Sequence, residues 1–280
     1  MRLSMSNIAW APEERLEAYA AMAEHGVRGL EIAPGLFFHA AADPFAPDAA
    51  TAERALEEIA AQGLSLVSMQ SLLFGVSGAA LFEGDDARGR LETGMVRAID
   101  LAGRFGIPNL VFGSPGQRRI PEGMDRAEAQ DLAAAFFARL GDRAQAAGAR
   151  IAMEANPEVY GTNFLNTLEE AADFVAEVDH PAVAPILDLG AMHINGAYAD
   201  TPGWVARLGP ALSHVHVSEP GLAPAPASAE ALVPVLDALR AAGYGRAVSI
   251  EMKRAPEGIA AVRAALSRFE QAGKAGKAGT

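Results

Sequence analysis

Short apolar runs and longer Ala-rich segments alternate along the whole chain. A short apolar run bounded by turn residues is typical of a buried strand, whereas apolar residues three and four positions apart predict an amphipathic helix. The predicted strands are Leu3–Ile8, Gly29–Ala33, Ser65–Met69, Asn109–Phe112, Ile151–Glu154, Ala184–Asp188, Ser213–Val217 and Ala247–Glu251. The predicted helices are Pro12–Glu24, Ala50–Ala61, Asp86–Arg104, Arg126–Ala147, Thr167–Ala176, Trp204–Leu208, Ser228–Ala242 and Ile259–Gln271.

Eight strand-then-helix units favour an α/β fold of the closed (β/α)8 type, the TIM barrel, over an open doubly wound sheet. The length of 280 residues agrees with this, because such a barrel takes about 250 residues in one domain. We therefore predict a single barrel domain over residues 1–271. The remaining residues, 272–280, are small, basic and repetitive, and we predict a disordered tail there.

Composition narrows the function classes. The net charge of -12 opposes binding to nucleic acid phosphates, and the lack of cysteine excludes disulfides, a thiolate nucleophile and a Cys-bound zinc. No apolar stretch is long enough for a membrane span, and the first residues lack the pattern of a signal peptide. We expect a cytoplasmic protein with no membrane partner, and the sequence leaves open whether it forms a homo-oligomer.

Four residues that can bind a divalent metal end the last four predicted strands: Glu154, Asp188, His216 and Glu251. The active site of a TIM barrel lies at these strand ends. A lone acidic residue there is more often a helix cap or an ion-pair partner, but three with a histidine on the remaining strand favour a metal site. Carboxylates mixed with imidazole suit Mn²⁺ first, with Mg²⁺, Co²⁺ or a catalytic Zn²⁺ as alternatives.

Two further histidines, His214 and His193, lie close to this set in the sequence. His214 points to the same side of an alternating strand as His216, and His216 is nearer the strand exit. We therefore predict His216 as the ligand and His214 as a deeper, supporting residue. His193 falls in the predicted loop after Asp188, where it either contacts substrate or lies on the surface.

At these motifs the chain resembles the xylose-isomerase-like barrels, specifically the sugar phosphate isomerase/epimerase group that includes D-tagatose 3-epimerase, hydroxypyruvate isomerase and inosose-processing enzymes. The resemblance rests on the Glu of MEAN with the later FLNT, the Asp of LDLG, the HVHVSE strand and the Glu of SIEM. It implies one divalent metal held by the four strand-end residues, with Glu219 beside the site. It also implies that Glu154 and Glu251 are the two catalytic bases.

The activity implied is proton transfer next to the carbonyl of a ketose or related keto-sugar, through an enediolate, as in a sugar isomerase or epimerase. A lyase or dehydratase acting on an inosose or a 3-keto glycoside would use the same groups and stays open. A noncatalytic sugar-binding barrel is less favoured. A hydrolase like the apurinic endonucleases is least favoured, because the third and fourth predicted strands end at Gln70-Ser71 and Gly113-Ser114 rather than at histidines.

The substrate pocket departs from the epimerase pattern. No Arg follows Glu219, and the loop after Glu154 reads NPEVYGTN, in which Glu158 or Tyr160 could replace a sugar-binding Glu. The cluster of Arg118 and Arg119 leaves open a phosphorylated or acidic substrate. The candidate substrate-binding residues are His193, Glu219, Lys253, Trp10, Glu31, Gln70, Tyr160 and Arg118.

Overall fold

A computed structural model describes residues 1–275 of the protein. Eight strands form a closed barrel in chain order, and the paired strands run parallel. The strands are β1 (Arg2–Ser6), β2 (Gly29–Ile32), β3 (Ser65–Met69), β4 (Asn109–Phe112), β5 (Arg150–Met153), β6 (Val183–Asp188), β7 (His214–Ser218) and β8 (Ala247–Glu251). The predicted fold class is confirmed, and the predicted strands differ from the observed ones by two residues or fewer at either end.

Ten α-helices lie within residues 1–275. They are α1 (Arg15–Glu24), α2 (Pro34–Phe37), α3 (Ala49–Ala60), α4 (Asp85–Phe105), α5 (Arg126–Ala146), α6 (Leu168–Val178), α7 (Leu189–Ile194), α8 (Thr201–Leu208), α9 (Ala229–Ala241) and α10 (Ile259–Ala275). The sequence pattern missed α2 and α7, because each is too short to show helical periodicity. None of the helices over these residues combines the length and apolarity that crossing a bilayer requires.

The chain divides into two compact units. The first comprises Met1–Val67 and the chain from Asp188 onward. In this unit β1 pairs with both β2 and β8, and β7 pairs with β8. The register sets His216 opposite Ser249 and Ser218 opposite Glu251, so that the ends of β7 and β8 lie side by side.

The second unit, Ser68–Leu187, contains β4, β5 and most of β6. Its core includes four buried phenylalanines that contact one another edge to face, with ring centroids 4.9 to 5.9 Å apart: Phe112, Phe137, Phe174 and Phe164. Such aromatic pairs add to the free energy gained by burial. Phe164 belongs to the FLNT segment, so this cluster anchors the long loop that follows β5.

The C-terminal helix extends further than the sequence pattern indicated. Ala272 to Ala275 belong to α10, whereas we predicted that a disordered tail starts at residue 272. Ala272 is fully buried, Lys274 pairs with Glu270 one turn earlier, and the Gly273 carbonyl accepts a hydrogen bond from Arg240. These contacts offset the weak helix propensity of Gly273. The rest of the predicted tail, 276–280, lies outside the described residues.

Candidate metal centre

His216 stands in β7 with its two ring nitrogens facing different carboxylates. Nδ1 lies 3.6 Å from Oδ2 of Asp188 and 3.3 Å from Oε2 of Glu251, whereas Nε2 faces Glu31. The imidazole is completely buried. Because β7 alternates its side chains between two sides, the strand specifies the side on which this ring lies.

Asp188 ends β6 and also caps α7. Its Oδ1 accepts a 2.5 Å hydrogen bond from the amide of Ala191, which satisfies a donor at the start of that helix. Its Oδ2 accepts a 2.6 Å hydrogen bond from the hydroxyl of Ser218. Asp188 therefore caps α7 through Oδ1 and lies beside His216 through Oδ2.

Glu154 follows β5 in the second unit, and a glycine and an asparagine lie next to its carboxylate. Asn156 donates a 3.0 Å hydrogen bond to its Oε2. At position 113, after β4, a Cβ atom would lie only 2.4 Å from the same oxygen, so Gly113 permits this close approach. The buried Arg118 donates from Nη2 to the Glu154 carbonyl oxygen at 2.7 Å, and burial lowers the pKa of Arg118 to about 10. Arg118 therefore remains charged at neutral pH and supports the segment that carries Glu154.

Three residues of the first unit offer ligand atoms that all lie within 4.8 Å of one another: Asp188, His216 and Glu251. Two carboxylates that converge this closely repel one another unless a positive charge balances them. The donor set of carboxylate oxygens and one imidazole nitrogen matches what Mn²⁺, Mg²⁺ or Zn²⁺ binds in catalytic sites. These residues therefore fit a divalent metal ion.

A second buried cluster adjoins His216. Glu31 in β2 lies 3.1 Å from Nε2 of His216 through either carboxylate oxygen, and 3.4 Å from Nε2 of His214. All three side chains are completely buried. Burial alone would raise the pKa of Glu31, but the facing imidazoles outweigh this effect and hold that pKa well below its usual range.

The predicted loop histidine, His193, lies in the last turn of α7 rather than in a loop. Its ring stacks on Tyr198 with centroids 3.8 Å apart, and its Nε2 is 3.7 Å from Oε2 of Glu219. The other oxygen of Glu219 accepts a hydrogen bond from the amide of Ala227. His193 and Glu219, predicted separately, thus form one ordered pair.

The remaining candidates differ in exposure. Trp10 is buried edge-on against Tyr19, and Gln70 is buried at the end of β3. Tyr160 is exposed in a 3₁₀ turn after β5, and Lys253 is exposed beyond β8, where its amide bonds the Leu222 carbonyl. Exposed polar and aromatic groups beyond strand ends remain available to a substrate, whereas the buried ones serve its surroundings.

Sequence reasoning missed three residues that directly contact candidate site residues: Ser218, Asn156 and Tyr198. Ser218 was identifiable in principle, because it lies two positions after His216 and so on the same side of β7. Asn156 belongs to the MEAN motif and is near Glu154 in sequence. No local pattern singles out Tyr198, whose ring meets His193 only through the fold.

The fold and the strand-end ligand cluster define a TIM-barrel protein with a candidate metal centre. The family model described as xylose isomerase-like TIM barrel matches residues 19–272, and the chain belongs to that family. No curated protein matches the chain.

Solved structures share the fold at low sequence identity. D-psicose 3-epimerase from Clostridium cellulolyticum H10, solved with D-tagatose, superposes with a TM-score of 0.72 at 17% identity, covering 98% of this chain and 92% of that one. The 3-keto-D-glucoside 4-epimerase from E. coli gives 0.75 at 20% identity, covering 95% and 98%. A family 2 AP endonuclease from Brucella melitensis gives 0.67 at 21% identity, covering 96% and 98%.

Proposed function

We propose that this protein is a divalent-metal-dependent sugar isomerase or epimerase that moves a proton next to the carbonyl of a ketose or related keto-sugar. The observation that carries the proposal is the convergence of Asp188 and Glu251 with His216. We propose Glu154, which follows β5, as the fourth ligand. Among the alternatives, we propose Mn²⁺ as the metal, because three hard carboxylate donors and a single imidazole suit it.

A bound divalent metal would polarise the substrate carbonyl and its adjacent hydroxyl, which lowers the energy of the enediolate. One of the two glutamates, Glu154 or Glu251, takes the proton from the carbon next to the carbonyl, and the electron pair of that bond moves toward the carbonyl oxygen. The other glutamate returns a proton. Return to the opposite face of the same carbon restores the carbonyl and inverts that centre. Return to the former carbonyl carbon, with the proton of the adjacent hydroxyl passing to the former carbonyl oxygen, exchanges aldose and ketose.

The surroundings of these glutamates support this use. Glu251 is buried at the end of β8 and Glu154 is half-buried after β5, so both side chains are largely shielded from bulk water. Proton transfer by a positioned side chain contributes about 10² to 10⁴-fold to a rate. Two of the structurally similar proteins are named as a D-psicose 3-epimerase and a 3-keto-D-glucoside 4-epimerase, and these names support a keto-sugar as the substrate class.

We assign the substrate contacts among the candidate residues as follows. His193 and Glu219, held as a pair, are the proposed partners of substrate oxygens, with Lys253 and Tyr160 as exposed contacts and the buried Trp10 and Gln70 in a supporting role. Arg118 and Glu31, which are completely buried, would support Glu154 and His216 respectively rather than contact substrate. No nucleic acid is expected at a site of this charge.

Deuterium wash-in tests the proposal. The Mn²⁺-loaded protein is incubated in D₂O with a panel of ketoses, inososes and 3-keto glycosides, and exchange and products are followed by NMR. We expect exchange at one carbon next to the carbonyl, with an inverted or isomerised product, and loss of exchange after chelation by EDTA with recovery on adding Mn²⁺. Exchange accompanied by loss of water or of an aglycone would assign the protein to the lyases instead. No exchange with any substrate, despite bound metal, would contradict the catalytic assignment.

A further inference from the structure

Glu31 is a buried carboxylate with no access to solvent, and two histidines face it. We propose that Glu31 is a positioning residue that fixes the proton of His216 on Nε2 and thereby presents Nδ1 as the metal-binding nitrogen. The inference rests on the metal site of the proposed function and goes beyond it, because Glu31 is not among the four ligands.

The geometry at Nε2 supports a single arrangement of the proton. Both oxygens of Glu31 lie 3.1 Å from this nitrogen. A carboxylate can only accept hydrogen bonds, so Nε2 of His216 must be the donor and must carry the proton. In the neutral ring the other nitrogen then has the lone pair.

The geometry at Nδ1 matches that requirement. This nitrogen lies 3.3 Å from Glu251 and 3.6 Å from Asp188, both proposed ligands. Metals bind the unprotonated nitrogen of a neutral imidazole, and a carboxylate on the opposite nitrogen fixes the tautomer and the ring orientation while raising the basicity of the ligand. The two nitrogens of His216 therefore divide their work between Glu31 and the metal.

His214 faces Glu31 from a second direction. Its Nε2 lies 3.4 Å from Oε1 of Glu31, and its ring stands edge-on to His216 with centroids 4.9 Å apart. A buried carboxylate is costly unless it is paired. Because water does not reach the three side chains, the hydrogen bond to His216 has no competitor from solvent, and the ring orientation is maintained.

Glu31, His214 and His216 also offer ligand atoms within 4.8 Å of one another, which raises the alternative of a second metal ion. We favour the positioning role because all three residues are completely buried, which leaves no open coordination position for water or substrate. Binding there would also take the proton from Nε2 of His216. Metal stoichiometry separates the two roles.

The test compares Glu31→Ala with Ser4→Ala. The control removes a buried hydrogen bond, from the Ser4 hydroxyl to the Val248 carbonyl, at a residue outside the ligand set. Mn²⁺ affinity and stoichiometry are measured by calorimetry and EPR. The His216 tautomer is read from ¹⁵N-labelled histidine NMR before and after Zn²⁺ is added, with the signal assigned through His216→Asn.

We expect wild type to bind one equivalent of Mn²⁺ and to show His216 protonated on Nε2. Glu31→Ala should bind Mn²⁺ about 10- to 100-fold more weakly, the range found when partners of ligand histidines are removed, and should lose the single tautomer without Zn²⁺. Ser4→Ala should match wild type in both readouts. Glu31→Gln keeps an acceptor oxygen without the charge, and its Mn²⁺ affinity should fall between those of wild type and Glu31→Ala.

Unchanged Mn²⁺ affinity in folded Glu31→Ala would overturn the inference. The inference would also be overturned if wild type bound a second equivalent of metal that only Glu31→Ala failed to bind. If Glu31→Ala does not fold, Glu31→Gln with both wild-type affinity and wild-type ring shifts overturns it. Failure of wild type to bind any divalent metal would instead contradict the proposed function, and the tautomer measured without metal would still test Glu31.

Discussion

The hydroxyl of Ser218 donates a 2.6 Å hydrogen bond to Oδ2 of Asp188 and accepts one of 2.8 Å from the amide of Gly190. This hydroxyl therefore joins the end of β7 to the first turn of α7. The opposite oxygen of Asp188 is fixed by the amide of Ala191. The orientation of a proposed ligand is thus determined by two hydrogen bonds, neither of which involves another ligand.

Ser218→Ala should weaken Mn²⁺ binding about tenfold, because outer hydrogen bonds to ligands contribute at that level. The free energy of unfolding should fall by about 1 to 2 kcal/mol through loss of a buried hydrogen bond. Calorimetric metal titration and urea unfolding measure the two effects. Ser249→Ala is the matched control, since the buried Ser249 hydroxyl has no hydrogen-bond partner among the described residues. Equal Mn²⁺ affinity in both variants would exclude a role for Ser218 in orienting Asp188.

Glu154→Gln and Glu251→Gln should each lower the deuterium exchange rate by about 10² to 10⁴-fold, because an amide cannot take up the substrate proton. Unfolding midpoints should stay close to that of wild type. Glu158→Gln, exposed in the same loop as Glu154, is the control and should leave stability unchanged. Near-normal exchange in either of the first two variants would refute the two-base scheme.

Gly141→Ala should destabilise the protein. Gly141 lies in α5 beneath the His180 ring, and an added Cβ would come within 2.5 Å of Nδ1. His180 cannot easily move, because this nitrogen accepts a hydrogen bond from Ala182 and Nε2 pairs with Asp142. Overpacking of this kind costs about 1 to 3 kcal/mol, which urea unfolding would detect.

Gly89→Ala provides the comparison for that variant. Gly89 also lies inside a helix, α4, but a Cβ there would meet nothing within 4 Å. Replacing an exposed helical glycine by alanine stabilises by about 1 kcal/mol. The two substitutions should therefore shift the unfolding midpoint in opposite directions, and a shift in the same direction would contradict the proposed steric clash.

Glu14 should make the stability depend on pH. Two hydrogen bonds of 2.8 Å from Arg254, followed by one from the Ala11 amide, lower the pKa of Glu14 from 4.5 to about 2. Because the folded-state pKa is the lower one, this stabilisation is complete above the unfolded value and is lost as the pH falls through the folded value. Unfolding free energies measured from pH 5 downward should show it.

Arg254→Met should flatten that dependence, since it removes the main cause of the lowered pKa. Lys253→Met removes the same charge from the neighbouring exposed position and should keep the wild-type slope. High salt should reduce the difference, because the pair is partly exposed. Identical slopes in the two variants would show that Arg254 does not control the titration of Glu14.

Periodicity along the chain was sufficient to predict the barrel and the order of its elements. A barrel strand is buried on both sides and reads as an apolar run, so eight runs separated by helical patterns specify the fold without long-range information. The same logic predicted Glu154, Asp188, His216 and Glu251 as a group, because all parallel strands end at one rim of the barrel. This pattern did not predict the short helix α7. That helix begins after its cap residue, Asp188, which also belongs to the candidate site.

The residues that end the strands can be identified from the pattern along the chain, but the groups that each of them faces depend on how the chain folds. Glu31 was predicted as a substrate contact because it is polar and near a strand end. In the structure its carboxylate points at His216 and His214, which lie more than 180 residues away along the chain. Strand periodicity specifies the side on which a residue lies, but the contact across the barrel depends on strand closure and register, which no local pattern encodes.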